Sequence, residues 1–331
     1  MDVRQVRPMD APLVLSLALD ESAHLVKGEN WPEPHPIFRT LSRSFFPVAL
    51  GGKTWIARDN CHAAILEAQP RRYVIGWDIV RLSAGHESGM LLEPLIGAAL
   101  EYLQSRGVPR LFARCGEHGR EALEPLEFQP LAHELVLVGP ESSASTDTPL
   151  PPNTRYRMPQ DAWPLHQLEM ETTPPLIRQF EGLNSQDWSQ RSHKMSELVV
   201  EIDGRIVAWI GRGTRERHGF VQVGMLLRPE CDSLGHDLVH YMMRTALPDC
   251  RLVVRVREYH DAILRAFIDA GFTVVREETL MLKHAAVERV PSAKTRLRAV
   301  GVPCVQAFPF LLRVAPPLAK VGTNLQKEQQ T

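Results

Sequence analysis

The chain carries the same set of sequence features twice, at a nearly constant separation. The set is an acidic turn between apolar runs (Asp59 and Asp203), a glycine before an apolar helical pattern (Gly89 and Gly235) and a phenylalanine after a helix end (Phe128 and Phe272). The separations are 203 − 59 = 144, 235 − 89 = 146 and 272 − 128 = 144 residues. A constant separation between unlike features predicts two copies of one domain in tandem.

A stretch of small polar residues and prolines divides the two copies. Residues 139–153 read Gly-Pro-Glu-Ser-Ser-Ala-Ser-Thr-Asp-Thr-Pro-Leu-Pro-Pro-Asn, a composition that buries too little apolar surface to order itself. We therefore predict an N-terminal domain over 1–138, a linker over 139–153 and a C-terminal domain over 154–286. Residues 287–331 contain seven prolines and glycines and are predicted to form a partly disordered tail.

Composition argues against several classes of protein. With 38 basic and 39 acidic residues the formal net charge is −1, so the chain lacks the basic excess typical of nucleic-acid binding. No apolar run reaches the roughly 18 residues of a membrane span, and residues 1–7 lack the apolar core of a signal peptide. The five cysteines are scattered and odd in number, which favours reduced thiols. We expect a cytoplasmic protein that binds neither nucleic acid nor membrane.

Hydrophobic periodicity predicts the same order of elements in each copy, β-α-β-β-β-α-β-α-β. The Asp203-Gly204 pair between two apolar runs is a strong signal for a β-hairpin. The third strand of each copy is predicted over 73–80 and 219–227, and the last helix of the second copy ends at Gly271, a residue suited to a helix C-terminus. The predicted class is α/β, with a mixed sheet flanked by helices in each domain.

This order of elements, with a glycine loop before a helix and a Gly-Phe pair after the last one, resembles the GNAT family of N-acetyltransferases, here as a tandem pair. In that family a strand ends in Val-x-Pro, and a loop Arg/Gln-x-x-Gly-x-Gly/Ala begins the next helix. Backbone N–H groups of the loop hold the pyrophosphate of acetyl-CoA, because the first N–H groups of a helix are unpaired and lie at the positive end of its dipole. The resemblance implies two tandem GNAT-like domains and acetyl-CoA as co-substrate.

The second copy matches this loop in outline. Leu227-Arg228-Pro229 stands at Val-x-Pro and Gly235 at the first glycine, whereas Asp232 and Asp237 replace Arg/Gln and Gly/Ala. At about 5 Å and an effective dielectric of about 20, repulsion between each carboxylate and a phosphate lowers the affinity for the ligand by roughly 3 kcal/mol. The alternative for Asp237 is that its charge stabilises the N-terminal end of its own helix. The residues that the resemblance assigns to the cofactor are Met225, Leu226, Leu227, Leu234, Gly235 and His236.

The first copy departs further from the family pattern. Its loop over 86–91 keeps one glycine, Gly89, and has Leu91 where a small residue is expected. Pro94 is expected at the first helical position, which would move the helix start away from Gly89. The resemblance therefore favours the second copy as the acetyl-CoA site.

Two residues are candidates for acid–base chemistry. GNAT enzymes often use a tyrosine four residues before the Gly-Phe glycine to protonate the departing thiolate, but Leu123 and Phe267 occupy those positions. Tyr259 is the only phenol nearby and is the candidate acid; the alternative is an ordinary half-buried aromatic residue. Asp78, whose counterpart is Gln222 (222 − 78 = 144), is the candidate base, because burial in an apolar strand would raise the pKa of its carboxyl. The alternative is a strand position that faces solvent.

Two further pairs of residues, His236 with His240 and Glu181 with Trp188, could be functional but also have ordinary structural explanations. His236 and His240 lie one helical turn apart, but no third ligand accompanies them, so no metal site is predicted. Glu181 and Trp188 fall in an insertion of the second copy, a region that faces the acceptor in GNAT proteins. The alternative for these two is a surface helix with a buried tryptophan.

The sequence predicts acetyl transfer from acetyl-CoA to the amine of a small molecule or peptide, an acyltransferase reaction with the cofactor in the C-terminal domain. The rival hypothesis is a catalytically decayed tandem protein that serves as a ligand-binding or scaffolding module. Two observations favour that rival: neither copy has a tyrosine at the acid position, and the loop of the second copy carries two carboxylates.

Overall fold

The computed structural model describes residues 1–19, 24–27, 52–59, 62–71, 76–85, 88–141, 148–182, 184–190, 196–213, 219–246 and 249–285. Residues Met1–Glu288 form one compact unit. The tail predicted over 287–331 lies outside the described residues.

The described residues of the N-terminal half form seven strands and three α-helices. In chain order these are β1 (Asp2–Gln5), α1 (Ala11–Leu19), β2 (His24–Lys27), β3 (Lys53–Asp59), β4 (His62–Pro70), β5 (Trp77–Ala84), α2 (Leu92–Ser105), β6 (Arg110–Cys115), α3 (Glu117–Leu123) and β7 (Gln129–Glu141). Those of the C-terminal half form β8 (Thr154–Tyr156), α4 (Ala162–Thr172), α5 (Pro175–Glu181), α6 (Ser185–Gln190), β9 (Ser196–Ile202), β10 (Arg205–Arg212), β11 (Phe220–Leu227), α7 (Asp232–Thr245), β12 (Arg251–Arg257), α8 (Asp261–Asp269) and β13 (Thr273–His284).

Both halves follow the predicted order of elements, and each contains an addition. The N-terminal half adds β2, and the C-terminal half adds α5 and α6. The hairpin between β9 and β10 turns as predicted, since Asp203 and Gly204 both have positive φ, 50° and 72°. The described part of the third strand of the N-terminal half begins at Trp77, and the predicted start at residue 73 lies outside the described residues.

The two halves share one mixed sheet. Its strands are ordered β1-β3-β4-β5-β6-β13-β7-β12-β11-β10-β9-β8, and β2 adds to β5. The last strand of each half therefore pairs with the other half, β13 against β6 and β7 against β12, and the two last strands pair antiparallel at the centre. Two sheets independent of each other were expected; that expectation is wrong because the last strands are exchanged.

Each half nevertheless has a hydrophobic core of its own. The N-terminal core lies under α2 and the C-terminal core under α7 and α8. The exchanged strands contribute to the opposite core, Leu137 of β7 to the C-terminal one and Met281 of β13 to the N-terminal one. Exchange also gives β6 and β12 a partner on an edge that would otherwise present unpaired N–H and C=O groups.

The strand β7 extends into the predicted linker. It runs to Glu141, which pairs with Arg251 of β12, so residues 139–141 are strand. Gly139 was one of the residues that predicted the linker, but close packing explains why this position is a glycine. A Cβ there would come 2.7 Å from the ring of Phe272. Strand β8 then begins at Thr154, and residues 142–147 lie outside the described ones.

An equivalent Arg–Asp ion pair lies near the start of each half, as expected for two copies of one domain. Arg4 donates to both carboxylate oxygens of Asp10 at 2.7 and 2.8 Å, and Arg155 donates to both of Asp161 at 2.7 and 2.9 Å. Each carboxylate also accepts the backbone N–H three residues earlier, at 2.7 Å, so it closes a turn ahead of the helix instead of capping the helix itself. The hydrogen bond from Arg4 lowers the pKa of Asp10.

The strand exchange predicts how each half behaves alone. A fragment of residues 1–141 keeps its core except for Met281 and lacks β13, so β6 has an open edge. We expect two copies to pair through β7 and form a dimer, since β7 and β13 already pair antiparallel around equivalent residues. Sedimentation equilibrium and circular dichroism test this, with the full chain as control. A fragment that is folded and monomeric at all concentrations would contradict the exchange.

Candidate functional site

Both halves contain neighbouring parallel strands that separate part-way along. Strands β5 and β6 pair only from Trp77 to Ile79, and β11 and β12 only from Phe220 to Val223. The separations begin at equivalent positions, since 223 − 79 = 144. Beyond them, one edge of each strand no longer faces its parallel neighbour. We name these gaps the N-terminal wedge, between 80–84 and β6, and the C-terminal wedge, between 224–227 and the end of β12.

Three of the residues predicted to bind the cofactor lie on β11 in the C-terminal wedge. Met225 and Leu227 pack into the core beneath α7, and Leu226 packs on the opposite face with Trp209. Among the described residues, no strand pairs with 224–227 on the side of β12. Such an edge suits an extended ligand that carries amides, because the ligand completes the hydrogen bonding of the backbone.

The helix α7 begins beside the end of this strand. It starts at Asp232, directly after a short 3-10 turn over Pro229–Cys231, so its first-turn N–H groups belong to 232–234. Gly235 lies in the second turn and is buried. A Cβ there would come 3.2 Å from both the Ala266 Cβ of α8 and the Leu227 Cδ2, so close packing explains this glycine.

The remaining residues of the predicted loop lie around the start of α7. Leu234 is half-buried against the C-terminal core, and the Nε2 of His236 lies 3.8 Å from a carboxylate oxygen of Asp269. Asp232 pairs with Arg265 of α8 at 3.5 Å, and both side chains are exposed. Its carboxylate therefore has a cation beside it, which offsets part of the repulsion expected for a phosphate.

The N-terminal wedge contains a strand of its own chain. Strand β2 pairs antiparallel with residues 81–83 of β5. Since β4 already pairs with β5 along its whole length on the other edge, β2 lies on the side of β6, inside the wedge. The two wedges thus differ: β2 fills the N-terminal one, and no described strand fills the C-terminal one.

A buried cluster of charges lies where the two halves meet. Glu134 of β7 pairs directly with Glu278 of β13, and these residues are counterparts in the repeat. Glu134 is 1% exposed and contacts three guanidinium groups, those of Arg114 at 2.8 Å, Arg257 at 3.0 Å and Arg255 at 3.3 Å. Burial alone would raise the pKa of Glu134, but the three arginines outweigh it and lower that pKa to about 2. We call this group the central charge cluster.

A chain of polar contacts connects this cluster to both candidate catalytic residues. Arg257 donates to Glu181 of α5 at 2.6 and 2.8 Å and to the hydroxyl of Tyr259 at 2.9 Å. Glu181 lies 3.8 Å from Arg71, which donates to Asp78 at 2.8 Å. Asp78 and Tyr259, which come from different halves, are therefore linked through three intervening side chains.

Asp78 is buried and does not face solvent, and its carboxylate is held by a cation. Its carboxylate accepts from Arg71, whose guanidinium stacks 3.9 Å from the centre of the Phe112 ring. Asp78 pairs in register with Phe112, ahead of the point where β5 and β6 separate. Its position is thus at the closed end of the N-terminal wedge.

Tyr259 follows the end of β12, one wall of the C-terminal wedge. Burial raises the pKa of its hydroxyl above the usual value, and Arg257 only partly offsets this, so Tyr259 is neutral at neutral pH. Its ring lies 4.5 Å from that of His260, whose pKa falls to about 4 because of burial and the charge of Arg257. The phenol and the adjacent His260 imidazole are therefore both neutral at neutral pH.

The sequence did not place Arg114, Arg255 and Arg257 together in one cluster. Arg114 and Arg255 stand at matching positions in otherwise apolar strands, and that pattern was a visible signal. Glu181 was assigned either to the acceptor region or to a surface helix; it is 6% exposed and forms an ion pair with Arg257. Trp188 is fully buried and donates from its ring N–H to Glu169 at 2.7 Å.

Comparison with solved structures identifies the fold. A GCN5-related N-acetyltransferase from Sphaerobacter thermophilus superposes with a TM-score of 0.53 over 86% of this chain and 95% of its own, at 17% identity. The chain has the fold of the GCN5-related N-acetyltransferases. A Drosophila protein aligns with a TM-score of 0.52 over 85% of this chain and 98% of its own, at 12% identity. A tandem GNAT protein from the clavulanic acid biosynthesis pathway gives 0.48, over 87% and 99%, at 12% identity. No family model and no curated protein matches.

Within the described part of the chain, no helix is long and apolar enough to cross a membrane. In that same part, no group of three or more His, Cys, Asp or Glu side chains is arranged to hold a metal ion. The three described cysteines, Cys115, Cys231 and Cys250, are free thiols.

The central charge cluster predicts a loss of stability in acid. Because the pKa of Glu134 is lowered in the folded state, its stabilisation is complete above about 4.5 and is lost as the pH falls toward about 2. Glu134→Gln removes the carboxylate that the three arginines contact. It should lower the free energy of unfolding by about 3–5 kcal/mol at pH 7 and by less at pH 3. Urea unfolding at both pH values measures this. Glu141→Gln, an exposed site on the same strand, is the control, and equal effects of the two substitutions would contradict the assignment.

Proposed function

We propose that the chain is an acetyl-CoA-dependent N-acetyltransferase whose cofactor binds in the C-terminal wedge. The observation that carries the proposal is the open edge of β11 over 224–227, next to the start of α7, in a chain with the GNAT fold. Acetyl-CoA supplies an acetyl group activated as a thioester. The acceptor is the amine of a small molecule or peptide.

Two sets of backbone groups would hold acetyl-CoA. On β11, Met225 and Leu227 direct their N–H and C=O groups to the wedge and offer them to the amides of the pantetheine arm, while Leu226 between them pairs with Trp209 of β10. The first-turn N–H groups of α7, at 232–234, offer unpaired donors and the positive end of the helix dipole to the pyrophosphate. Gly235 and His236 follow in the second turn and support this start of the helix.

Tyr259 is the residue we assign to proton transfer. Its Oη carries a proton at neutral pH, it accepts from Arg257, and it lies at the end of β12 where the wedge opens. A thiolate that leaves during acyl transfer needs a proton, and a neutral phenol supplies one. Asp78 is assigned to positioning instead, because its carboxylate holds Arg71 at the closed end of the other wedge.

The rival hypothesis, a decayed binding or scaffolding module, has less support. It was based on the missing acid tyrosines and on the loop carboxylates. Tyr259 offers a phenol at the end of β12, and Asp232 has Arg265 beside it. The C-terminal wedge also keeps a strand edge and a helix start together, the two features that the cofactor needs.

A charge placed at the start of α7 tests the cofactor site. Ser233 is exposed in the first turn of α7, so Ser233→Glu should leave the fold intact and weaken acetyl-CoA binding about 10- to 100-fold through like-charge repulsion. Isothermal titration of the purified protein measures this. Gly235→Glu would be a poor test, because its side chain would collide with α8.

Two controls accompany this titration. Ser233→Gln adds a side chain of the same size without charge and should bind nearly as tightly as the unsubstituted protein. Gly89→Glu places the same charge at the equivalent turn of the N-terminal half, where a Cβ meets nothing within 4 Å, and should not change the affinity. Loss of binding in Gly89→Glu but not in Ser233→Glu would move the site to the N-terminal half.

Removal of one hydroxyl tests the assignment of the acid. Tyr259→Phe keeps the ring and its packing and should lower kcat about 10²- to 10⁴-fold with little change in acetyl-CoA affinity. Thiol release from acetyl-CoA, measured with a panel of primary amines and peptides, provides the rate. Tyr156→Phe, at an exposed phenol of the edge strand β8, is the control. An unchanged kcat in Tyr259→Phe would rule out this role.

A further inference from the structure

The strand β2 is built tightly into the N-terminal wedge. Val26 is fully buried within the N-terminal core, and the Nδ1 of His24 lies 2.6 Å from the hydroxyl of Ser83 on β5. On its other side β2 meets α3 at Gly119. A Cβ at Gly119 would overlap the carbonyl oxygen of Leu25, so only glycine leaves room for the backbone of β2 there.

The edge that β2 occupies is the counterpart of the edge proposed for the cofactor. Strand β2 pairs with Arg81, Leu82 and Ser83. With the repeat separation of 144 these correspond to residues 225–227, since 225 − 81 = 144. A strand is an extended chain of amides, and the pantetheine arm carries amides too, so the two satisfy a strand edge in the same way.

The remaining contacts of β2 show why a ligand would not displace it easily. An acyl-CoA entering this wedge would have to remove Val26 from the core and leave three residues of β5 without their pairing. The α2 start beside this wedge is also less suited to an anion, because Pro94, in its first turn, has no N–H to offer.

We propose that β2 is a built-in substitute for the cofactor: it closes the N-terminal wedge, so the chain binds one acetyl-CoA, in the C-terminal half. This inference rests on the proposed function for the count of one ligand. The closure itself is a property of the protein without ligand. The N-terminal half then acts as the partner that supplies β7 to the C-terminal sheet and Arg71 to the cluster around Glu181.

Hydrogen exchange of the full chain, followed by mass spectrometry, tests the closure. Backbone amides over 24–27 should exchange at least about 100-fold more slowly than in an unstructured peptide, and millimolar acetyl-CoA should not change them. Gly119→Ala forces α3 and β2 apart, and Val26→Ala removes packing; both should accelerate exchange at 24–27 and 81–83 and leave 225–227 unchanged. Gly97→Ala, where a Cβ meets nothing within 4 Å, is the matched control and should resemble the unsubstituted protein.

The outcomes separate this proposal from the proposed function. Fast exchange at 24–27 in the unsubstituted protein, or slower exchange there on addition of acetyl-CoA, would overturn the closure. Isothermal titration should give one acetyl-CoA per chain, and two would also overturn it. Absence of binding would reject the proposed function, while slow exchange at 24–27 would still establish that β2 closes the wedge. If either substitution prevents folding, the exchange of the unsubstituted protein decides.

Discussion

The antiparallel pairing of β7 with β13 is the interaction on which the rest of the structure depends. It places the last strand of each half beside the other half, so neither core is complete without a residue from its partner. Leu137 and Met281 are those residues. The same pairing brings Glu134 next to Glu278, two buried carboxylates whose mutual repulsion requires cations. Arg114, Arg255 and Arg257 supply them, and the seam between the halves is therefore ionic as well as apolar.

The two halves contain equivalent wedges, and the described contents of the wedges differ. Buried N–H and C=O groups at a strand edge need hydrogen-bond partners, and a segment of the chain or an extended ligand can supply them. The N-terminal half uses β2. In the C-terminal half no described strand pairs with the equivalent edge, and our proposal assigns that edge to a ligand. Our proposal therefore gives the two halves different roles: the N-terminal wedge is closed by β2, and the C-terminal wedge binds acetyl-CoA, with Tyr259 just beyond the end of β12.

The repeat, the order of elements and the Asp203-Gly204 hairpin could be predicted because each depends on local pattern and spacing. The strand exchange could not, since the apolar alternation of β7 is the same whichever half it pairs with. Gly139 was taken as part of a linker because its partner, the Phe272 ring, is 133 residues away in sequence (272 − 139 = 133). Gly235 matched a phosphate-loop position, yet its contacts are with Ala266 and Leu227. The sequence left open whether Asp78 is buried, and it does not reveal that Arg71 pairs with it.

A crystal structure of the full chain with acetyl-CoA tests the central claim most directly. The account predicts one ligand, its pantetheine arm along 225–227 of β11 and its pyrophosphate at the first turn of α7, with β2 still paired to β5. A ligand in the N-terminal wedge with β2 displaced, or one in each half, would contradict it.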